Sequence, residues 1–254
     1  MKYLLSSAMI MALFVGHARS ARAQSEVTLV APGGIRAAIE QLTPGFERKT
    51  GHPVKATFGS GGGTKQQVVR GDPFDVPIVQ PPYQDVLDSG NVIASSATPL
   101  ASVAVGVAVR KGAPKPDIST PDAVKRMLLA AKLISYPDAT AGAAAGVSFN
   151  ETLNKLGIAD QMKPKIKLAQ GGAGAMSLLA KGEVDIGLTF LSEMNDPGID
   201  VVGPLPKAIS TPTTLVGFVS AHAKDPAAAK ALLDYLSSPE AAAVYKAQGM
   251  QPGR

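Results

Sequence analysis

Short apolar runs with strand character alternate along the chain with segments whose apolar positions recur at helical spacing. Val27 to Ala31, Val54 to Phe58 and Asp75 to Val79 predict strands, while Ile35 onward, Thr64 to Arg70 and Tyr83 to Asp88 predict helices. In the first helix Ile35, Ile39, Leu42 and Phe46 share one face, and Pro44 predicts a kink or a restart. Ser102 to Val109 is a longer apolar run that predicts a strand crossing between lobes. Thr120-Pro121-Asp122 then opens a helix, with Thr as N-cap and Pro at the first helical position. A strand follows from Leu133 to Tyr136, a helix from Val147 to Leu156 stopped by Gly157, and a strand from Lys165 to Leu168. Ala175 to Lys181 predicts a helix, Val184 to Phe190 a strand, and Thr214 to Ser220 the return crossing. Pro226 to Gln248 predicts a helix pair broken at Ser237-Ser238-Pro239-Glu240, with Ala229, Leu232, Leu233 and Leu236 on its buried face. Alternation of this kind predicts an α/β fold with mainly parallel sheets.

The joints between these elements carry the candidate chemistry. Pro32-Gly33-Gly34, Ser60-Gly61-Gly62-Gly63, the small-residue run Ala139 to Gly146, and Gly171-Gly172-Ala173-Gly174 each lead from a strand into a helix. A glycine turn lets a ligand approach the main chain, and a helix start supplies unpaired N–H groups and the positive end of the dipole. Ligands of open parallel sheets sit at the carboxyl ends of strands, so these turns are predicted to face one anion site. Two sharper motifs fail on position. Thr64 precedes Lys65 where a Walker A loop needs Gly-Lys followed by Ser or Thr, and Thr64 stands where a dinucleotide fingerprint started at Gly59 needs its third glycine.

Residues 1 to 23 read as a secretory signal: Lys2, an apolar core from Leu4 to Gly16, and Ala21-Arg22-Ala23 before a mature start at Gln24. Export to the periplasm is therefore expected. The chain has no cysteine, so neither disulfides nor thiolate metal ligands enter the picture. Loss of Lys2, Arg19 and Arg22 with the signal lowers the formal charge from +5 to +2, too little to argue for nucleic acid.

Familiar catalytic sets do not assemble. His17 leaves with the signal, His52 lies between Gly51 and Pro53, and His222 lies in a polar turn, so no Ser-His-Asp triad or metal-ligand spacing is present. A proton shift next to a carboxylate needs less: one base and groups that hold the substrate. Arg36 and Lys65, each read in the first turn of a helix, are the candidate carboxylate clamps, and Asp138 or Glu193 the candidate base.

The order of Val27-Thr28-Leu29-Val30-Ala31, the glycine turn after Phe58, Gly71-Asp72-Pro73-Phe74-Asp75-Val76, Leu153-Asn154-Lys155-Leu156-Gly157, Gly182-Glu183-Val184-Asp185-Ile186-Gly187 and Leu236-Ser237-Ser238-Pro239-Glu240 resembles the type II periplasmic binding proteins. Within them it resembles the molybdate-binding-protein-like group, over nearly the whole mature chain. The resemblance implies a two-lobed α/β fold, each lobe a mainly parallel sheet flanked by helices, with a cleft that closes on a small anion for a membrane ABC transporter. It places a first lobe at 24–105 and 213–254 and a second at 106–212, in a monomer without cofactor or metal.

The serines with which the group holds molybdate fall here on Gly34 and on Gly61 or Gly62, and its tyrosine falls on Phe190. That departure favours an organic carboxylate over molybdate. Gly203-Pro204-Leu205-Pro206 and the turn at 139 to 146 look closer to a branch that includes aconitate isomerase, which leaves an isomerase of an unsaturated tricarboxylate as the alternative. The candidate ligand set is Gly33, Gly34, Arg36, Ser60, Gly61, Gly62, Lys65, Thr140, Gly172, Ala173 and Phe190.

Overall fold

A computed structural model describes residues 24–253, so the signal segment expected at 1 to 23 lies outside the described residues. The chain opens with β1 (Val27–Pro32), α1 (Arg36–Thr50), β2 (Val54–Gly59), α2 (Gly61–Arg70), β3 (Val76–Val79), α3 (Gln84–Asp88) and β4 (Thr98–Val103). It continues through β5 (Val105–Arg110), α4 (Pro121–Ala130), β6 (Ile134–Pro137), α5 (Ala144–Lys155), α6 (Ala159–Met162), β7 (Ile166–Ala169), α7 (Gly171–Ala180), β8 (Ile186–Phe190) and β9 (Ile199–Pro204). It then returns as β10 (Thr213–Gly217), α8 (Pro226–Leu236), α9 (Pro239–Ala247) and β11 (Met250–Pro252).

The strands form two sheets, ordered β11-β4-β10-β3-β1-β2 and β7-β6-β8-β5-β9, and the fold is two-lobed α/β. Each sheet is mixed. A parallel half, β3-β1-β2 or β7-β6-β8, holds the strand-to-helix turns. An antiparallel half follows from the crossings: β4 leaves the first sheet and β10 returns to it, so the two run in opposite directions, and β5 pairs antiparallel with β8 and β9. The apolar run read as one crossing strand is therefore two, parted at Ala104, with β4 in the first sheet and β5 in the second.

Helical periodicity locates the core correctly. Ile35, Ile39, Leu42 and Phe46 are buried under the first sheet, and Ala229, Leu232, Leu233 and Leu236 are buried on α8. α1 passes through Pro44 as one helix, and Gly51, at φ 78°, ends it in the left-handed conformation. Thr120, Asp225 and Ser238 cap α4, α8 and α9 through their side chains, each with proline in the first turn. β9 and β11 are absent from the sequence reading because Gly203-Pro204 and Pro252 read as turn residues. Both lie at sheet edges, where a proline without an N–H is tolerated.

Asp75 ties the first lobe together just before β3. Its carboxylate accepts from the Thr28 N–H at 2.8 Å, the Thr28 hydroxyl at 2.7 Å and the Lys224 N–H at 2.8 Å, joining β1 to the turn that leads into α8. Asp75 is buried, so removing the carboxylate leaves these donors without a partner. Asp75→Ala is expected to lower stability by about 3 kcal/mol and the melting temperature by roughly 10 °C, read by urea and thermal unfolding.

Candidate functional site

The carboxyl ends of β1, β2, β3, β6, β7 and β8 open onto one cavity of about 980 Å³ between the lobes. Pro32, Gly33, Gly34, Arg36, Phe58, Ser60, Gly61 and Gln80 line it from the first lobe, and Pro137, Asp138, Ala144, Leu168, Gln170, Gly172, Phe190 and Glu193 from the second. This is where parallel strand ends place a ligand crevice. Two hydrogen bonds join the lobes beside it. The Ser192 hydroxyl donates to the Gly34 carbonyl at 2.6 Å, and the Gly62 N–H donates to the Gly142 carbonyl at 3.1 Å.

Of the ligand set read from sequence, Gly33, Gly34, Arg36, Ser60, Gly61, Gly172 and Phe190 line the cavity. Gly62, Lys65, Thr140 and Ala173 stand outside that lining, for local reasons. α2 starts at Gly61 rather than Thr64, which moves Lys65 into the second turn, where its ammonium donates to the Pro82 carbonyl at 2.7 Å. Gly62 is engaged with Gly142, and the Thr140 hydroxyl donates to Asp138 Oδ1 at 2.7 Å. Ala173 is exposed on the first turn of α7.

α5 and α7 also begin about one turn before the sequence reading places them. Glycine disfavours helix interiors, so propensity alone pushes the expected start past each small-residue stretch. The first-turn amides therefore lie within the glycine segments themselves. Ser60 caps α2 by accepting from the Gly63 N–H at 3.1 Å, which leaves its own hydroxyl hydrogen to donate toward the cavity.

What the glycines make room for is protein. A β-carbon on Gly61 would overlap Gln80 Oε1, and one on Gly172 would overlap Glu193 Oε2. One on Gly34 would stand 3.0 Å from the Phe190 ring, across the interlobe boundary. Gln80 is absent from the sequence set, although its place directly after β3 follows the same strand-end rule that singles out the turns.

The two candidate bases differ in environment. Hydrogen bonds from the Thr140 side chain and backbone hold Asp138 below the usual carboxylate range. Burial pushes Glu193 up, against the Thr189 hydroxyl, which donates to Oε2 at 2.5 Å, and the Phe190 backbone. Of the two, Glu193 is thus the carboxyl whose neutral form is favoured by its surroundings. The cationic group of the lining is Arg36, whose guanidinium lies 4.5 Å from the Phe58 ring centroid and 3.6 Å from Glu40. Its side chain is 53% exposed, which places it at the rim.

A carboxyl raised on folding stabilises the fold most at low pH, and that contribution is lost as pH climbs from the unfolded value through the folded one. Glu193→Gln keeps an acceptor for Thr189 and removes the titration. The variant's melting temperature minus that of the wild type is expected to grow in the variant's favour from pH 4 to pH 8. A flat difference across that range, measured by calorimetry, contradicts the assignment.

Known proteins resemble the chain along its length. Aconitate isomerase from Pseudomonas sp is 33% identical over 242 residues, covering 92% of this chain and 90% of that protein. The molybdate-binding protein ModA of Azotobacter vinelandii is 29% identical over 250 residues, covering 96% of each. The solved periplasmic molybdate-binding protein of Azotobacter vinelandii superposes with a TM-score of 0.74 at 23% identity, over 89% of this chain and 98% of that one, which shows the shared fold. With the family model matching residues 27–251, this chain belongs to the bacterial extracellular solute-binding protein family.

Proposed function

We propose that the cleft captures a small organic di- or tricarboxylate outside the cytoplasm for delivery to an ABC-type transporter. The observation that carries this reading is the Glu193 carboxyl, which lines the cavity against Gly33 and Gly172 with no cationic partner among the described residues. A compact dianion such as molybdate needs several hydroxyl and amide donors converging on one point, and Ser60 supplies the one hydroxyl among the described lining residues. A volume of about 980 Å³ suits a larger ligand. A polycarboxylate holds its charges apart, with one end at Arg36 and another beside Glu193, which in its protonated form donates a hydrogen bond.

A second reading rests on the same carboxyl together with the 33% identity to aconitate isomerase. Ionised, Glu193 takes a proton from the methylene of an unsaturated tricarboxylate as the double bond shifts. The same group returns a proton to the former vinylic carbon, so acid and base are one residue and the atoms balance.

Thermal shift with citrate, tricarballylate, cis- and trans-aconitate, molybdate, sulfate and phosphate tests the ligand class: polycarboxylates stabilise and molybdate does not. Proton NMR of the aconitates in D2O separates the two readings. A receptor leaves them unchanged. An isomerase interconverts them with deuterium entering the allylic positions, and Glu193→Gln stops the exchange while still binding. Arg36→Ala is expected to weaken a carboxylate about fivefold, since a half-exposed pair is screened by water, whereas Lys65→Ala leaves affinity unchanged.

A further inference from the structure

We propose that Gln80 is the ligand-reading residue of the first lobe, its side-chain amide forming with Ser60 and Gly61 a neutral subsite for one carboxylate of the ligand. The inference rests on the polycarboxylate reading for the identity of the ligand, and on separate observations for the residue. Gln80 is 2% exposed and lines the cavity, yet both Nε2 and Oε1 lack a hydrogen-bond partner among the described residues. A buried amide with neither end paired is destabilising, and few are kept in folded proteins without a reason.

Local chemistry explains why the protein does not satisfy it. Pro81 and Pro82 follow, so the next two residues offer no N–H to Oε1. The Pro82 carbonyl already accepts from Lys65, and Gly61 has no side chain to offer. Gln80 Oε1 instead occupies the space that a β-carbon on Gly61 would fill, at the start of α2. The amide is thereby held against the helix start and beside Ser60, whose hydroxyl hydrogen is free to donate. A ligand carboxylate arriving there accepts from Nε2 and from Ser60, while Oε1 remains to accept from any proton-bearing group on the ligand. Because no charged group of the protein takes part, this subsite contributes independently of ionic strength, unlike Arg36 at the rim.

Gln80→Met keeps length and removes both polar atoms. A purely structural amide and a ligand-reading amide respond to it in opposite ways. The proposal expects an unliganded melting temperature equal to or above that of the wild type, because an unsatisfied buried group has been removed. It also expects calorimetric affinity for tricarballylate, citrate or trans-aconitate to fall at least tenfold, equally at low and high salt. Unchanged affinity overturns the proposal, as does a lower unliganded melting temperature. If the wild type binds molybdate or sulfate and no polycarboxylate, the ligand class proposed above is wrong. Gln80 then stands or falls on whether Gln80→Met loses that oxyanion. If no anion binds, the proposal is overturned whatever the unliganded melting temperature does.

Discussion

The cleft depends on how closely the two lobes approach, and that approach is set by residues without a β-carbon. Gly142 adopts φ 79°, a conformation that L side chains resist, and its carbonyl meets the Gly62 N–H at the start of α2. A β-carbon on Gly62 would come within 3.2 Å of the Gly142 α-carbon, so any larger residue holds the lobes apart. At a second contact Gly34 lies under the Phe190 ring while its carbonyl accepts from Ser192. Backbone hydrogen bonding across the boundary fixes the spacing of the walls, and the spacing decides what the cavity admits.

Given that spacing, the polar character of the site follows from what each glycine leaves room for. Gly172 accommodates Glu193, and Gly61 accommodates Gln80. The cavity thus carries a buried carboxyl on the second lobe, an amide without a partner among the described residues on the first, and a cation at its rim. Such a set is spread over distance instead of focused on one point. That spread is what the proposed polycarboxylate reading rests on.

Much of this was legible in the sequence, because period and capping are local properties. The buried faces of α1 and α8, the cap at Thr120 and the strand-to-helix turns all follow from neighbours a few residues apart. The helix starts at Gly61, Ala144 and Gly171 were not, since the glycines at 61 to 63, 146, 171, 172 and 174 argue against helix. That displacement puts Lys65, read in the first turn, into the second turn of α2, where it donates to the Pro82 carbonyl. The split at Ala104 was also hidden, because an apolar run reads the same whether it serves one sheet or two. Gln80 was not read from the sequence, because its place against Gly61 and its lack of a hydrogen-bond partner among the described residues are tertiary facts that no local pattern records.

The proposed polycarboxylate site is bounded by Arg36, Gln80 and Glu193. A crystal structure of the protein soaked with trans-aconitate tests it most directly. The predicted result is a ligand between the lobes with one carboxylate at Ser60 and Gln80 and another within hydrogen-bond distance of Glu193. An empty cleft under saturating trans-aconitate, with molybdate occupying the glycine turns when supplied instead, would contradict it.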